Sequence, residues 1–467
     1  MNSTGYPFRF MAPLCLGCLL NPINSSMIAT ALVPIGRSLH IPHSQTAWLV
    51  AALYLASAIG QPAAGVLADR FGARSVFLIG LLLVALGGIL GAFSPSLGLL
   101  IVARVTIGGG TSAAYPAAMI LVRARADQRG LPTPRRVLAI LSIAALASVA
   151  VGPPLGGLLS SAFGWQSIFL INVPLAVLGF VLAIIGLPRA KDDGEQPSSP
   201  KRNTQAFDFV GLLLFSFMLC CLLLFLMSPR TRWPFLPSAI FFLVPFVVRE
   251  LGTPQPFLDL RMLHSNGPLT RTYLRYVATF FIIYAIFYGY APWQQEVRGM
   301  SAAQAGLAMV PMTIVSALCS VIASRYRAPY LPLIVGGLGL VSGSALLFIV
   351  HATSPMPLVL AAVVIFGIPQ GLSTMSNQVA LYDQAPAHHM GAASGLLRTS
   401  QYLGAMASSC VIAGVYGAGV TDHSLHLLAT LLLCIGIPLT VATALDLSLR
   451  KMAPTKPAMG AAAASEG

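Results

Sequence analysis

The stretch GVLADRFGAR, residues 65–74, sets an aspartate and two arginines into a chain of which only 9% is charged. Apolar runs flank it, 46–68 before and 75–94 after, each long enough as a helix to cross a hydrocarbon layer of ~30 Å. The stretch is therefore a tight polar turn between two membrane-crossing helices. Its reading decides how the rest of the chain is read.

The same alternation continues along all 467 residues, of which 56% are hydrophobic, with a mean hydropathy of +0.81. Apolar runs fall at 10–36, 46–68, 75–94, 98–122, 136–161, 166–187, 208–227, 233–249, 270–292, 301–323, 329–350, 356–380, 391–418 and 424–447. Backbone groups in lipid must be hydrogen-bonded within their own segment, so each run is a helix, and the many glycines and prolines are packing and kink sites. A barrel would need short alternating strands instead. The expected class is an all-α integral membrane protein with fourteen transmembrane helices.

A net charge of +14 suggests nucleic acid until the 27 Lys and Arg are placed. With the N-terminus inside, only Arg37, Arg230, Arg232 and Arg298 fall on external ends, and Arg104 and Arg398 within helices. The rest obey the positive-inside rule and leave no basic patch for nucleic acid. Both termini are expected in the cytoplasm. Arg far outnumbers Lys and Ala and Gly are abundant, which points to a GC-rich bacterial genome and to the bacterial inner membrane. Asn21 and Asn24 in the first run, and the lack of a small-residue cleavage site, argue against a signal peptide.

All seven cysteines lie in expected helices, and Cys15 with Cys18 has no second ligand pair, so packing outweighs metal or redox chemistry. Phosphate-binding loops, catalytic triads and metal-ligand spacings are absent. His388 and His389 read as a surface pair in a loop. Neither enzyme chemistry, nor a cofactor, nor a metal is expected.

The longest polar interruption, RAKDDGEQPSSPKRNT at 189–204, separates six helices from eight, and a second break at 249–271 leaves six behind it. The expected organisation is a six-helix bundle at 1–188, a cytoplasmic linker at 189–207 and an inserted helix pair at 208–250. A connector at 251–268, a second six-helix bundle at 269–450 and a tail at 451–467 follow. The loop SRYRAP, 324–329, stands where DRFGAR stands in the first bundle, as expected of carriers built from repeats.

GVLADRFGAR resembles the G-x-L-x-D-R-x-G-R-K loop of the major facilitator superfamily, matching Gly65, Leu67, Asp69, Arg70, Gly72 and Arg74, with Ala73 at a usually basic place. Gly72 permits a positive φ and Asp69 can pair with a nearby Arg. The resemblance implies that Gly65, Asp69, Arg70, Gly72 and Arg74 form a conformational latch. RVTIGGG (104–110) is similar to the fourth-helix R-x-x-Q-G motif, with Ile107 at the Gln place. GPPLGG (152–157) is similar to the exporters' fifth-helix motif through Gly152, Pro153, Gly156 and Gly157. GWQSIFLINVP (164–174) and QQEVRGMSAAQAGLAMVP (294–311) resemble further signatures of the same branch. With the inserted pair, the resemblance is to the fourteen-helix drug:proton antiporters.

That branch carries an aspartate in its first helix; here the matching residue is Asn24, which cannot titrate. None of the 13 acids falls in the middle of an expected helix: Asp208 and Asp446 are at cytoplasmic ends, Glu296 at an external end and Asp383 just beyond the twelfth run. Two buried arginines remain, each costing ~3 kcal/mol at a helix centre unless it meets a cavity or partner. Arg104, Glu296 and Arg398 are the coupling candidates. The matched motif favours function for Arg104, whereas Arg398 stays open between function and a hydrogen bond to a neighbouring helix.

Polar residues on apolar helices mark a substrate cavity: Asn21, Asn24, Tyr54, Gln61, Tyr284, Tyr288, Gln370, Thr374, Asn377 and Gln401. Gln370, Thr374 and Asn377 share one helical stripe, and the aromatic rings could stack on a flat or cationic substrate. The alternative for each is interhelical glue. The resemblance implies a monomeric carrier that exports lipophilic or aromatic small molecules with protons as coupling ion. A carrier for an anionic or neutral metabolite, and a membrane scaffold or sensor that transports nothing, remain open at this point.

Overall fold

The computed structural model describes residues 6–128, 135–188, 208–227, 233–253, 258, 260–326, 328–385 and 390–451; side chains at some helical positions, Asp69 among them, lie outside that description. Every regular element among these residues is helical. The first half runs α1 (Phe8–Ser38), α2 (His43–Phe71), α3 (Ala73–Ala92), α4 (Leu97–Ser112), α5 (Ala114–Gln128), α6 (Arg135–Phe163), α7 (Ser167–Leu170) and α8 (Asn172–Gly186). Two helices follow, α9 (Phe209–Met227) and α10 (Phe235–Gly252), and then a short α11 (Leu260–Ser265). The second half runs α12 (Gly267–Glu296), α13 (Ala302–Ala308), α14 (Val310–Ser324), α15 (Tyr330–Leu346), α16 (Met356–Gln384), α17 (Met390–Val415), α18 (Asp422–Leu445) and α19 (Leu447–Lys451).

Three apolar runs expected as single helices are each divided, the fourth at Ala113, the sixth at Ile171 and the tenth at Met309. α16 extends to Gln384, which places Asp383 in its last turn rather than beyond it. Among the described residues twelve spans are long and apolar enough to cross a bilayer, with α4–α5, α7–α8 and α13–α14 each acting as one. α6 and α17 lie outside that set and are 29 and 26 residues long. Exposed residues such as Ile185, Phe241 and Val248 cover the outer surface, as lipid-facing positions do.

The two halves meet along three seams: α2 against α17, α1 against α12, and α6 against α13 and α14. Small residues permit the closest of these. The backbone of Ala302 leaves no room for a side chain at Gly157, and the backbone of Pro153 leaves none at Gly306, so α6 and α13 touch main chain to main chain. Gly156 meets the Met27 backbone of α1 in the same way, and Gly152 leaves room for the Ser26 side chain. The inserted pair, α9 and α10, packs together, and α9 also touches α2 and α17, the two sides of one seam. Asp208 anchors that pair: its Oδ1 accepts the Gly211 N–H at 2.8 Å and the Arg249 Nε at 2.6 Å. One carboxylate thus caps α9 and holds α10.

Candidate functional site

The centre of the molecule is a cluster of tyrosines drawn from both halves. α2 supplies Tyr54 and α12 supplies Tyr284 and Tyr288, whose rings stack at 5.7 Å and 8°. Tyr54 meets Tyr284 edge-on at 5.3 Å and Tyr402 of α17 at 5.8 Å. Hydroxyls and amides join the rings: Tyr54 and Tyr288 lie 2.8 Å apart, and Tyr288 donates to the Ser25 carbonyl at 2.8 Å. Gln61 donates to Tyr402 at 2.9 Å, and Gln401 to Tyr284 at 3.0 Å. Five of the residues singled out as cavity candidates, Tyr54, Gln61, Tyr284, Tyr288 and Gln401, thus form one network that crosses the seam.

Arg398, one turn from Tyr402 on α17, lies at the edge of this network. Its guanidinium donates to Gln401 Oε1 at 3.4 Å and sits 5.5 Å from the Tyr115 ring centroid on α5. The ionisable side chains around it, among the described residues, are Tyr115, Tyr276, Tyr284, Tyr402 and Cys18. Tyr115 and Tyr276 had no distinguishing signal in the sequence, because a tyrosine in an apolar run reads equally as packing.

The asparagines of α1 are engaged otherwise. Asn24 and Asn172 of α8 exchange amide hydrogen bonds at 2.5 and 2.9 Å, and Asn21 donates to Ser57 and Thr111, both at 2.9 Å. These amides bind α1 to α8, α2 and α4. Asn172 stands inside GWQSIFLINVP, but nothing in the sequence pairs it with a residue 148 positions away. Arg104, only 2% exposed, donates to the carbonyls of Leu49 (2.8 Å) and Asn24 (3.2 Å), tying α4 to α2 and α1.

On α16, Asn377 accepts Arg275 Nε at 2.9 Å and donates to its own helix, and Thr374 donates to the Gln370 carbonyl. Gln370 is buried, with Oε1 lacking a partner among the described residues. Arg275 also faces Asp446 at 3.5 Å, as does Arg271, so a charged group fastens α12 to the end of α18. These three residues of the stripe do not join the tyrosine network.

At one end of the bundle Glu296, the last residue of α12, forms an ion pair at 3.1 Å with Arg37 in the last turn of α1. The pair lines a cavity of about 370 Å³ with Val33, Gly36, His40, Ile41 and His43. Glu296 therefore sits at a mouth rather than beside the tyrosines. Nearby, Gln295 donates to the Thr30 carbonyl at 3.1 Å, a second bond from α12 to α1.

The opposite end carries the DRFGAR turn. Gly72 joins α2 to α3 at φ +90°, a conformation that strains any L side chain, and Arg74 donates to the Ile184 carbonyl at 3.1 Å. Gly65 lies over Pro116 of α5, and Arg70 is exposed on the last turn of α2. His388, His389 and the Asp69 side chain lie outside the described residues. Among the described residues no group of three or more His, Cys, Asp or Glu could hold a metal ion.

The profile of the Major Facilitator Superfamily matches residues 14–409 of this sequence. The chain belongs to the Major Facilitator Superfamily. It is similar to YwoD, an MFS-type transporter of Bacillus subtilis, with 32% identity over 439 residues covering 91% of this chain and 94% of the relative. It is 28% identical to the tetracenomycin C resistance and export protein of Streptomyces glaucescens, over 90% of this chain and 77% of that one. A methylenomycin A resistance protein of Streptomyces coelicolor is 26% identical, over 88% and 85%.

Among solved structures the D-xylose-proton symporter superposes with a TM-score of 0.66 at 17% identity, covering 96% of this chain and 98% of that one. The nucleoside transporter NupG gives the same score at 12% identity, covering 94% and 99%. Those likenesses establish the all-helical Major Facilitator fold. This member is a multi-pass membrane transporter and not an enzyme.

Proposed function

We propose that this Major Facilitator protein exports lipophilic aromatic small molecules by alternating access, as a proton antiporter with fourteen spans, α6 and α17 completing the twelve. The observation that carries the reading is the tyrosine network itself. Four tyrosines from α2, α12 and α17 face one another across the seam between halves, their hydrogen-bond partners among the described residues being amides, hydroxyls and one carbonyl. Stacked rings give a flat molecule apolar area and a few directional hydrogen bonds, which is what a ligand site for an aromatic body requires. The resistance and export relatives support the direction.

The Glu296 end is then the external mouth and the Asp69 end the cytoplasmic one, with DRFGAR as the latch on the inner side. Glu296 is the carboxylate we assign to coupling. Its pair with Arg37 is partly exposed on both sides, 34% and 66%, so it contributes no more than about 1 kcal/mol. A proton arriving from outside and taken by Glu296 removes the ion pair between α1 and α12 at the mouth, leaving the Gln295–Thr30 bond there, a small change that biases the opening of that seam. The α6–α13 contact at Gly157 and Gly306 must part as well.

Efflux from cells tests the reading. Cells that express the protein and are preloaded with a coumarin carboxylate or its methyl ester should lose one or both faster than cells carrying Tyr288→Ala. Equal loss of both probes from the two strains overturns it.

A further inference from the structure

We infer that the substrate is an aromatic anion whose negative charge is taken by Arg398; the inference rests on the export reading and narrows its substrate class. The warrant is how differently this molecule treats its arginines. Arg104 is only 2% exposed and gives its Nε and one terminal nitrogen to main-chain carbonyls, its other terminal nitrogen lacking a partner among the described residues but closed off from any ligand. Arg275 is buried against Asp446 and Asn377, Arg249 binds Asp208, and Arg37 binds Glu296. Arg398 has none of these. Among the described residues its one hydrogen bond is the 3.4 Å contact with Gln401, and it lies against the face of Tyr115. Among the described residues no carboxylate pairs with it.

Its ionisable neighbours among the described residues are the phenols of Tyr115, Tyr276, Tyr284 and Tyr402 and the thiol of Cys18, groups that are neutral when protonated, whereas a guanidinium is always charged. Among the described residues the positive charge therefore meets no carboxylate; it stands half-buried inside α17, with donors to spare, at the border of the tyrosine network. A planar fork of N–H donors matches a carboxylate or sulfonate in two parallel bonds. The rings of Tyr284 and Tyr402 lie beside it to receive the aromatic body. Tyr115 belongs to the first half and Arg398 to the second, so an anion held there touches both moving parts. A cationic substrate would meet the same charge as repulsion.

The test is equilibrium binding and proteoliposome transport of three probes that share one ring system: a coumarin carboxylate, its methyl ester, and a coumarin bearing an alkylammonium. The purified full chain should bind the carboxylate at least about tenfold more tightly than the ester, since hydrogen bonds to a charged group exceed neutral ones, and should bind the ammonium probe least. Arg398→Gln should bring carboxylate and ester to parity while leaving ester binding in place, and Arg398→Lys should keep part of the preference. Wild type that favours the ester or the ammonium probe, or fails to bind the carboxylate, overturns the inference without recourse to any variant. Arg398→Gln that keeps the preference overturns it as well. Carboxylate preference in binding with no transport of any probe upholds the anion site and removes the export reading; transport without preference does the reverse.

Discussion

Tyr54 and Tyr288 meet hydroxyl to hydroxyl at 2.8 Å across the seam between the halves, and Tyr288 donates its own hydrogen bond to the Ser25 carbonyl. With that proton committed, Tyr54 is the donor of the pair. Tyr288→Phe therefore breaks two bonds between halves and Tyr54→Phe only one. At about 0.5–1.5 kcal/mol per bond, with more for a buried group left alone, Tyr288→Phe should lower the melting temperature in detergent further than Tyr54→Phe. The double variant should fall short of the sum, because both substitutions remove the shared bond. Strict additivity in a double-mutant cycle would contradict the assignment.

Glu296→Gln and Arg37→Gln each remove an ion pair that is partly exposed. Thermal stability should change by less than about 1 kcal/mol, while the response of transport to an imposed pH gradient should flatten in Glu296→Gln. A variant that keeps the full response shows that coupling resides elsewhere.

Asp446 makes the contrasting case. Its side chain is 3% exposed and faces Arg275, itself 6% exposed. Asp446→Asn leaves that buried guanidinium without its counter-charge, a loss of about 3–5 kcal/mol. Melting should drop far more than in Glu296→Gln, and comparable melting curves for the two would refute this placement.

Gly157→Val drives a side chain into the Ala302 backbone. Overpacking of this kind costs about 1–3 kcal/mol, here only while α6 and α13 are closed on each other. With the seven native cysteines replaced, a Ser161→Cys probe should react faster with an external, membrane-impermeant maleimide in the Gly157→Val background. Unchanged labelling would show that this seam does not open.

The membrane-spanning runs were legible because hydropathy over a helix length is a direct property of the residues. The breaks at Ala113, Ile171 and Met309 were not, since apolar sequence continues through them and the kink depends on what packs alongside. α11 and α19 were too short to register. Within the site, polar residues on apolar helices drew attention to Tyr54, Tyr284 and Asn24 alike. Only the folded chain separates them, because Asn24 is occupied by Asn172 whereas Tyr54 and Tyr284 face the seam. A partner on a distant helix leaves no trace in local spacing, and for the same reason Tyr115 beside Arg398 could not be foreseen.

The most direct measurement is movement of a coumarin carboxylate and its neutral ester into proteoliposomes under an imposed pH gradient. Antiport predicts protein-dependent accumulation on the acidic side, opposite to the passive trapping of a weak acid, lost on adding a protonophore and reduced in Tyr288→Ala. Flux of both probes equal to that of protein-free liposomes, or accumulation that ignores the gradient, would contradict proton-driven export.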